Sequence, residues 1–193
     1  AIQIYLYKKI AELKQVSLKE ASDLFNNLYK EGKGLSGSKT MIKLGFQEEN
    51  ARDLVQEALE NADIAKFLIP NQEVNELLQQ LKNKYQNVDI ITGSNKTNSN
   101  LKLKKLGISE KIFSQIISAD DASKSDLSAF NLWISCYPNY KPKNFIYIGD
   151  RISSDYEKPK ELGIASILVN IKNINSNIDC LQLSSLLKIN EYL

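Results

Sequence analysis

The 193-residue chain contains no histidine. Histidine is the usual general base of Ser–His triads and a frequent zinc ligand, so its absence excludes the triads and most zinc sites. An enzyme made from this sequence must therefore work with carboxylates, lysine, hydroxyl groups, backbone amides or a hard metal ion.

Cysteine is almost as scarce: the chain contains two, Cys136 and Cys180. They lie far apart and form no C-x-x-C pair, which is typical of reduced thiols in a cytosolic protein. No apolar run approaches the length of a membrane span, and no signal peptide is visible. We therefore expect a cytoplasmic protein.

Charge of one sign is not in excess, since 25 basic and 23 acidic residues give a net charge of +2. This near balance gives no electrostatic reason to expect nucleic acid or a membrane as a partner. Hydrophobic residues make up 42% of the chain, enough for a core. The length fits one domain with an insertion or two small domains, and we expect a monomer or a homodimer.

The first 66 residues predict helices and no strand. Ser17 and Glu20 have the spacing of a capping box, which predicts that a helix begins there. Apolar residues recur at helical spacing in three segments. The predicted helices are 1–14, 17 to about 29, and 48–62.

Residues 31–40 contain three glycines and predict a loop between the second and third helices. The order Gly-x-x-x-x-Gly-Lys-Ser/Thr is absent, so this segment is not a Walker phosphate loop. A plain connection is the simpler interpretation. If the segment contacts a ligand, Ser38 and Lys39 are the candidates.

From Pro70 onward, predicted strands alternate with predicted helices four times. This alternation indicates a parallel, doubly wound, Rossmann-like α/β sheet. The predicted strands are 88–92, 115–118, 145–148 and 166–169, and the predicted helices are 70–85, 96–106, 125–137, 155–162 and 181–192.

Polar side chains follow three of the predicted strands. Thr92 ends the first, Lys124 follows the second, and Asp150 and Asp155 follow the third. Ligands of open α/β sheets bind at the carboxyl ends of the strands. A hydroxyl with neighbouring backbone N–H groups, an ammonium and a carboxylate for Mg²⁺ together suit a bound phosphate.

Each of these four residues also has a plainer interpretation. Thr92 could simply end a strand, and Lys124 could be a solvated charge. The two aspartates could cap a turn and a helix. Their joint occurrence, in this order along an α/β chain, favours the phosphate site.

Residues 67–170 resemble the core of the haloacid dehalogenase (HAD) superfamily of phosphohydrolases. The resemblance is carried by three motifs. Ile90-Ile91-Thr92-Gly93-Ser94 resembles the second family motif, Lys124-Ser125-Asp126-Leu127-Ser128-Ala129-Phe130 the third, and Ile148-Gly149-Asp150 with Asp155 the fourth. Ser125 and Ser128 replace the usual prolines of the third motif, and the lysine is kept.

The helical segment 1–66 resembles the family's cap domain, and residues 67–193 resemble its α/β core. The Tyr29-Lys30-Glu31-Gly32 pattern looks most like the pyrimidine 5′-nucleotidase branch. The resemblance implies that the cap selects the substrate, to which Ser38 or Lys39 could reach.

The resemblance also implies the roles of the residues in the core. Asp150 would be a carboxylate ligand of Mg²⁺, and Asp155 would bind the metal through water or orient its ligands. Phosphate would be held by Thr92, Gly93, Ser94 and Lys124, of which Thr92 and Lys124 would also act in catalysis.

One family motif is missing from the sequence. HAD enzymes begin with a strand that ends in Asp-x-Asp, where the first Asp is the nucleophile and the second is the general acid and base. No Asp-x-Asp occurs in these 193 residues. The resemblance places that strand mid-sheet, between 88–92 and 145–148, where its loss would leave backbone groups unpaired.

We therefore expect that about 15–25 residues, including this strand, precede residue 1. The alternatives are a variant without the nucleophile and a nucleophile supplied by another chain.

The resemblance implies a Mg²⁺-dependent phosphomonoester hydrolase that forms an aspartyl-phosphate. Its substrate would be a small phosphorylated metabolite, with nucleoside 5′-monophosphates among the candidates. The alternatives are a HAD-like binding or regulatory module without catalysis, and a dehalogenase of the same fold. A receiver-type module does not suit the helical segment 1–66.

Overall fold

The computed structural model describes residues 2–31, 37–61, 67–124 and 126–192. The chain forms two compact units, Ala1–Leu68 and Ile69–Leu193. Within the described ranges, no helix is both long enough and apolar enough to cross a membrane.

The first unit is helical, as the apolar spacing predicted. Its helices are α1 (Ile2–Lys14), α2 (Leu18–Glu31), α3 (Gly37–Lys43) and α4 (Glu48–Asn61). Their inward faces form one core, made of Leu6, Ile10, Ala21, Phe25, Met41, Ala51 and Ala58. The predicted capping box is confirmed, because the Glu20 N–H donates to Ser17 Oγ and the Ser17 N–H donates to the Glu20 carboxylate.

The predicted loop 31–40 is wrong in its second half, because α3 begins at Gly37. Thr40 and Met41 are fully buried, so tertiary packing overrides the local glycine signal. Gly37 serves close packing: a Cβ added there would lie 3.3 Å from Val55 Cγ2. Residues 32–36 of the predicted loop lie outside the described residues.

The second unit contains the predicted alternation of strands and helices. The strands are β1 (Asp89–Ile91), β2 (Gln115–Ile117), β3 (Ile146–Gly149), β4 (Ala165–Leu168) and β5 (Leu181–Gln182). The main helices are α5 (Gln72–Lys84), α6 (Lys96–Leu106), α7 (Ser128–Ser135) and α8 (Lys158–Glu161). Helix α6 ends at Gly107, whose positive φ of 69° suits glycine.

Two predicted helices differ from the observed structure. The segment predicted as helix 155–162 begins with a π-helical turn, Ser153–Glu157, which continues into α8. The predicted helix 181–192 is wrong, because β5 pairs with β4 and only Leu186–Glu191 coil, as a 3₁₀ helix. Leu183 and Ile189 are buried as predicted, since their spacing satisfies both conformations.

The strands form two parallel sheets, β1–β2 and β3–β4–β5. The break lies between β1 and β3, which is where the resemblance places the family's first strand. Across the break, the Tyr147 hydroxyl of β3 donates a 3.3 Å hydrogen bond to the Ile91 carbonyl of β1. Aromatic side chains from α7 and β3 pack beside it, so both sheets share one core.

Asp89 holds the amino-terminal end of β1, at the opposite end of the strand from Thr92. Its carboxylate accepts hydrogen bonds from the Gln115 N–H (2.8 Å), the Trp133 indole (2.7 Å) and the Tyr137 hydroxyl (2.8 Å). Burial raises the pKa of Tyr137, and the bond to Asp89 raises it further. This network is structural, since it fixes α7 against β1.

Replacing Asp89 by Ala should lower the free energy of unfolding by about 3 kcal/mol, because the part-buried donors of Trp133 and Tyr137 lose their shared acceptor. Urea unfolding would measure the loss, with the exposed Asp23→Ala as control. A loss below about 0.5 kcal/mol, the range of an ordinary surface substitution, would show that the Asp89 network does not stabilise the fold.

Candidate active site

Thr92 continues the ladder of β1, because its N–H donates to the Ile117 carbonyl at 2.9 Å. Its side-chain oxygen accepts the Ser94 N–H at 3.1 Å. A hydroxyl that accepts through its oxygen still has its own proton to donate. The Thr92 hydroxyl is therefore suited to donate to an anion, and Gly93, which is exposed, leaves the approach open.

Ser94 is buried and holds the turn together. Its N–H is used by Thr92, its carbonyl accepts from the Ala119 N–H at 2.9 Å, and its Oγ accepts from Lys102 Nζ at 2.6 Å. The sequence interpretation missed Lys102, which lies eight residues further along the chain on α6. Its signal in the sequence is weak, because a lysine on a helix is normally solvated.

Lys124 forms an ion pair with Asp155, with 2.8 Å between Nζ and Oδ1. Asp155 is 1% exposed. Its Oδ2 accepts the N–H groups of Asp150 (2.9 Å) and Arg151 (3.1 Å), and its Oδ1 also accepts the Ser154 hydroxyl (2.7 Å). A carboxylate has about four acceptor positions, so these contacts use them all. The contacts suit the orienting role of Asp155 better than direct metal binding.

Both partners of this pair are charged at neutral pH. Burial lowers the pKa of Lys124, but Tyr147 and Asp155 outweigh it and raise that pKa above its usual value. Burial raises the pKa of Asp155, but Lys124 and the hydrogen bonds outweigh it and lower that pKa. The Lys124 ammonium also lies 5.2 Å from the centre of the Tyr147 ring, which favours the cation.

Gly149 is required by this arrangement. A Cβ at this position would lie 2.3 Å from Asp155 Oδ2, far inside contact distance. The glycine that ends β3, directly before Asp150, is thus explained by packing, because it makes room for the Asp155 carboxylate.

Unlike Asp155, Asp150 has a carboxylate that is available to bind a metal. Its carboxylate is exposed, and no described residue gives it a hydrogen bond or an ion pair. Among the described residues, no cluster of three His, Cys, Asp or Glu side chains could hold a metal. Mg²⁺ commonly uses one or two carboxylates and completes its six ligands with water and substrate phosphate. Asp150 therefore fits Mg²⁺ as one ligand of a site that needs further oxygens.

The structure brings Lys124, Asp150 and Asp155 into one hydrogen-bonded unit, and joins Thr92 to Ser94 in the turn after β1. Ser38 and Lys39 lie on α3 in the first unit. Their proposed contact with a substrate stays a prediction.

Replacing Gly149 by Ala should lower the free energy of unfolding by about 3 kcal/mol, because Asp155 must leave Lys124 to make room. Gly93→Ala is the matched control, since a Cβ there meets nothing within 4 Å. We expect the control to change stability by less than about 0.5 kcal/mol. Equal stability of the two variants would contradict the packing role of Gly149.

The lowered pKa of Asp155 predicts a pH dependence of stability. A carboxyl whose pKa is lower in the folded state stabilises the protein above its unfolded pKa of about 3.9, and this contribution is lost at lower pH. The stability difference between wild type and Asp155→Asn should therefore shrink from about pH 6 to about pH 3 in urea unfolding. A difference that stays constant over this range would be the contrary result.

Three comparisons with known proteins bear on this arrangement. The family model for haloacid dehalogenase-like hydrolases matches residues 7–169. The search of curated proteins gives no significant match. Among solved structures, a HAD phosphatase from Thermococcus onnurineus is similar, with a TM-score of 0.63 and 19% identity over 98% of this chain and 86% of that one.

Two further structures are similar over 98% of this chain and 90% of their own. They are YfnB from Bacillus subtilis bound to magnesium (TM-score 0.56, 17% identity) and a 2-haloacid dehalogenase from Pseudomonas syringae (TM-score 0.53, 18% identity). At these identities the structures share the fold, an α/β core with parallel strands and added helices. The family match spans most of the chain, and the chain therefore belongs to the haloacid dehalogenase-like hydrolase family.

Proposed function

We propose that the protein is a Mg²⁺-dependent phosphomonoester hydrolase. The observation that carries this proposal is the unit built on Asp155. Its carboxylate holds the Lys124 ammonium on one oxygen and the Asp150 backbone on the other. A cation and an exposed carboxylate are thereby fixed together at the carboxyl ends of parallel strands, the place where α/β proteins bind ligands.

Each residue of the site has a different role towards a bound phosphate. Lys124 stabilises the negative charge on the phosphate oxygens, while the Thr92 hydroxyl and the Gly93 N–H donate hydrogen bonds to them. Asp150 would contribute a carboxylate to Mg²⁺. A bound ion would neutralise the negative charge that the phosphate and an attacking carboxylate bring together.

The attacking carboxylate is an Asp of an Asp-x-Asp strand outside these 193 residues, in this proposal. The break in the sheet supports this proposal, because β1 and β3 belong to separate sheets and are linked by the Tyr147 hydroxyl rather than by strand pairing. The carboxylate oxygen bonds to phosphorus as the bond from phosphorus to the ester oxygen breaks, and that oxygen takes a proton from the second Asp. Water activated by that Asp then cleaves the aspartyl-phosphate and releases phosphate.

The substrate is a small phosphorylated metabolite in this proposal, and nucleoside 5′-monophosphates are the first candidates because of the Tyr29-Lys30-Glu31-Gly32 pattern. A second function, that of a HAD-like module without catalysis, is favoured by the absence of Asp-x-Asp from the sequence. The charged Lys124–Asp155 pair beside an exposed carboxylate favours the enzyme, since binding alone does not require this set.

Replacing Asp150 by Asn should lower Mg²⁺-dependent phosphatase turnover of the full-length protein about tenfold or more, because the metal loses a charged ligand. Phosphate release from p-nitrophenyl phosphate and from a panel including nucleoside 5′-monophosphates would measure it. The control is Asp179→Asn, an exposed carboxylate outside the site, which should keep wild-type turnover.

Unchanged turnover of Asp150→Asn at saturating Mg²⁺ would remove Asp150 from the site. Absence of turnover in the wild-type protein with every ester would favour the module without catalysis.

A further inference from the structure

Lys102 is a half-buried ammonium without a charged partner among the described residues. Its Nζ donates to Ser94 Oγ at 2.6 Å, and no described carboxylate forms an ion pair with it. Burial lowers its pKa accordingly. Lys104 and Lys105 on the same helix are exposed to water. Removing an ammonium from water without a counter-ion is unfavourable. The burial of Lys102 therefore requires an explanation, whereas the exposed positions of its neighbours do not.

Beside Lys102 lie two buried polar side chains, those of Ser94 and Asn98, that have a proton left to donate. Ser94 is 7% exposed, and its oxygen accepts from Lys102, so its hydroxyl proton remains to be donated. Asn98, one helical turn before Lys102 on α6, is 5% exposed, and its Nδ2 has no hydrogen-bond partner. Unpaired buried donors beside a positive charge match a negatively charged group rich in acceptors, and phosphate is such a group.

Ser94 connects Lys102 to the turn that follows β1. Ser94 Oγ accepts a hydrogen bond from Lys102, and the Ser94 carbonyl accepts one from the Ala119 N–H. The Ser94 N–H donates to the Thr92 hydroxyl oxygen at 3.1 Å. Loss of the Lys102 hydrogen bond would therefore alter the position of Ser94, and with it the position of the Thr92 hydroxyl.

The charges of the two lysines are balanced differently. Lys124 is paired with Asp155 at 2.8 Å, so that pair is neutral as a whole. Lys102 has no such partner among the described residues, so it supplies net positive charge. A phosphate that approaches the turn after β1 gains net attraction from Lys102.

We propose that Lys102 is a second cation of the phosphate site. It positions the turn 92–94 through its hydrogen bond to Ser94, and it supplies net positive charge next to this turn. This inference rests on the proposed phosphatase function. Lys102 is a positioning residue in this account, since it touches Ser94 rather than the phosphate.

The test is binding of inorganic phosphate to the full-length protein, measured by titration calorimetry at low ionic strength. Lys102→Met, which keeps the apolar stem and removes the charge, should weaken binding about tenfold. Lys102→Arg should restore binding to within about threefold, because it keeps the charge. Lys105→Met, an exposed lysine on the same helix, should bind like the wild type.

Lys102→Met should also lose part of the dependence of binding on salt, which a purely structural defect would not change. Ser94→Ala provides a second variant that keeps the cation and removes its link to Thr92, and it should weaken binding about threefold or more. Circular dichroism would confirm that each variant is folded.

The outcomes separate this inference from the function on which it rests. Wild-type affinity in Lys102→Met and Ser94→Ala, together with weak binding in Lys124→Met, would overturn the role of Lys102 and leave the phosphate site standing. Absence of phosphate binding in the wild type would overturn the phosphate site and the role of Lys102 with it.

Discussion

The buried carboxylate of Asp155 is the constraint on which the site depends. A charge with 1% exposure is tolerated only when it is fully compensated, and here one ammonium, two backbone N–H groups and one hydroxyl do so. Lys124 comes from the loop after β2, and Asp155 from the segment after β3. The ion pair therefore joins loops that follow strands of two separate sheets, and it fixes the backbone that carries Asp150.

This constraint leads to a division of roles among the charged residues. Lys124 and Asp155 compensate each other, Asp150 keeps its carboxylate exposed, and Lys102 brings positive charge to the turn after β1. The exposed carboxylate is the group with capacity to bind a cation, while the hydroxyl of Thr92 has capacity to donate to an anion.

Much of this could be predicted from the sequence, because strand ends are local signals. The alternation after Pro70 predicted a parallel α/β fold, and Thr92, Lys124 and Asp150 were each located by the strand before them. Other features depend on packing. Gly37 contributed to a loop prediction, but it starts helix α3 at a place where an added side chain would come close to Val55. Lys102 looked like an ordinary helical lysine, and only the fold buries it beside Ser94.

We propose that this family member hydrolyses phosphomonoesters with Mg²⁺. The most direct measurement is the release of inorganic phosphate by the full-length protein from a panel of small phosphomonoesters, with Mg²⁺ and with a chelator. We predict release from at least one ester in Mg²⁺ and its loss in the chelator. Release that persists in the chelator, or no release from any ester, would contradict it.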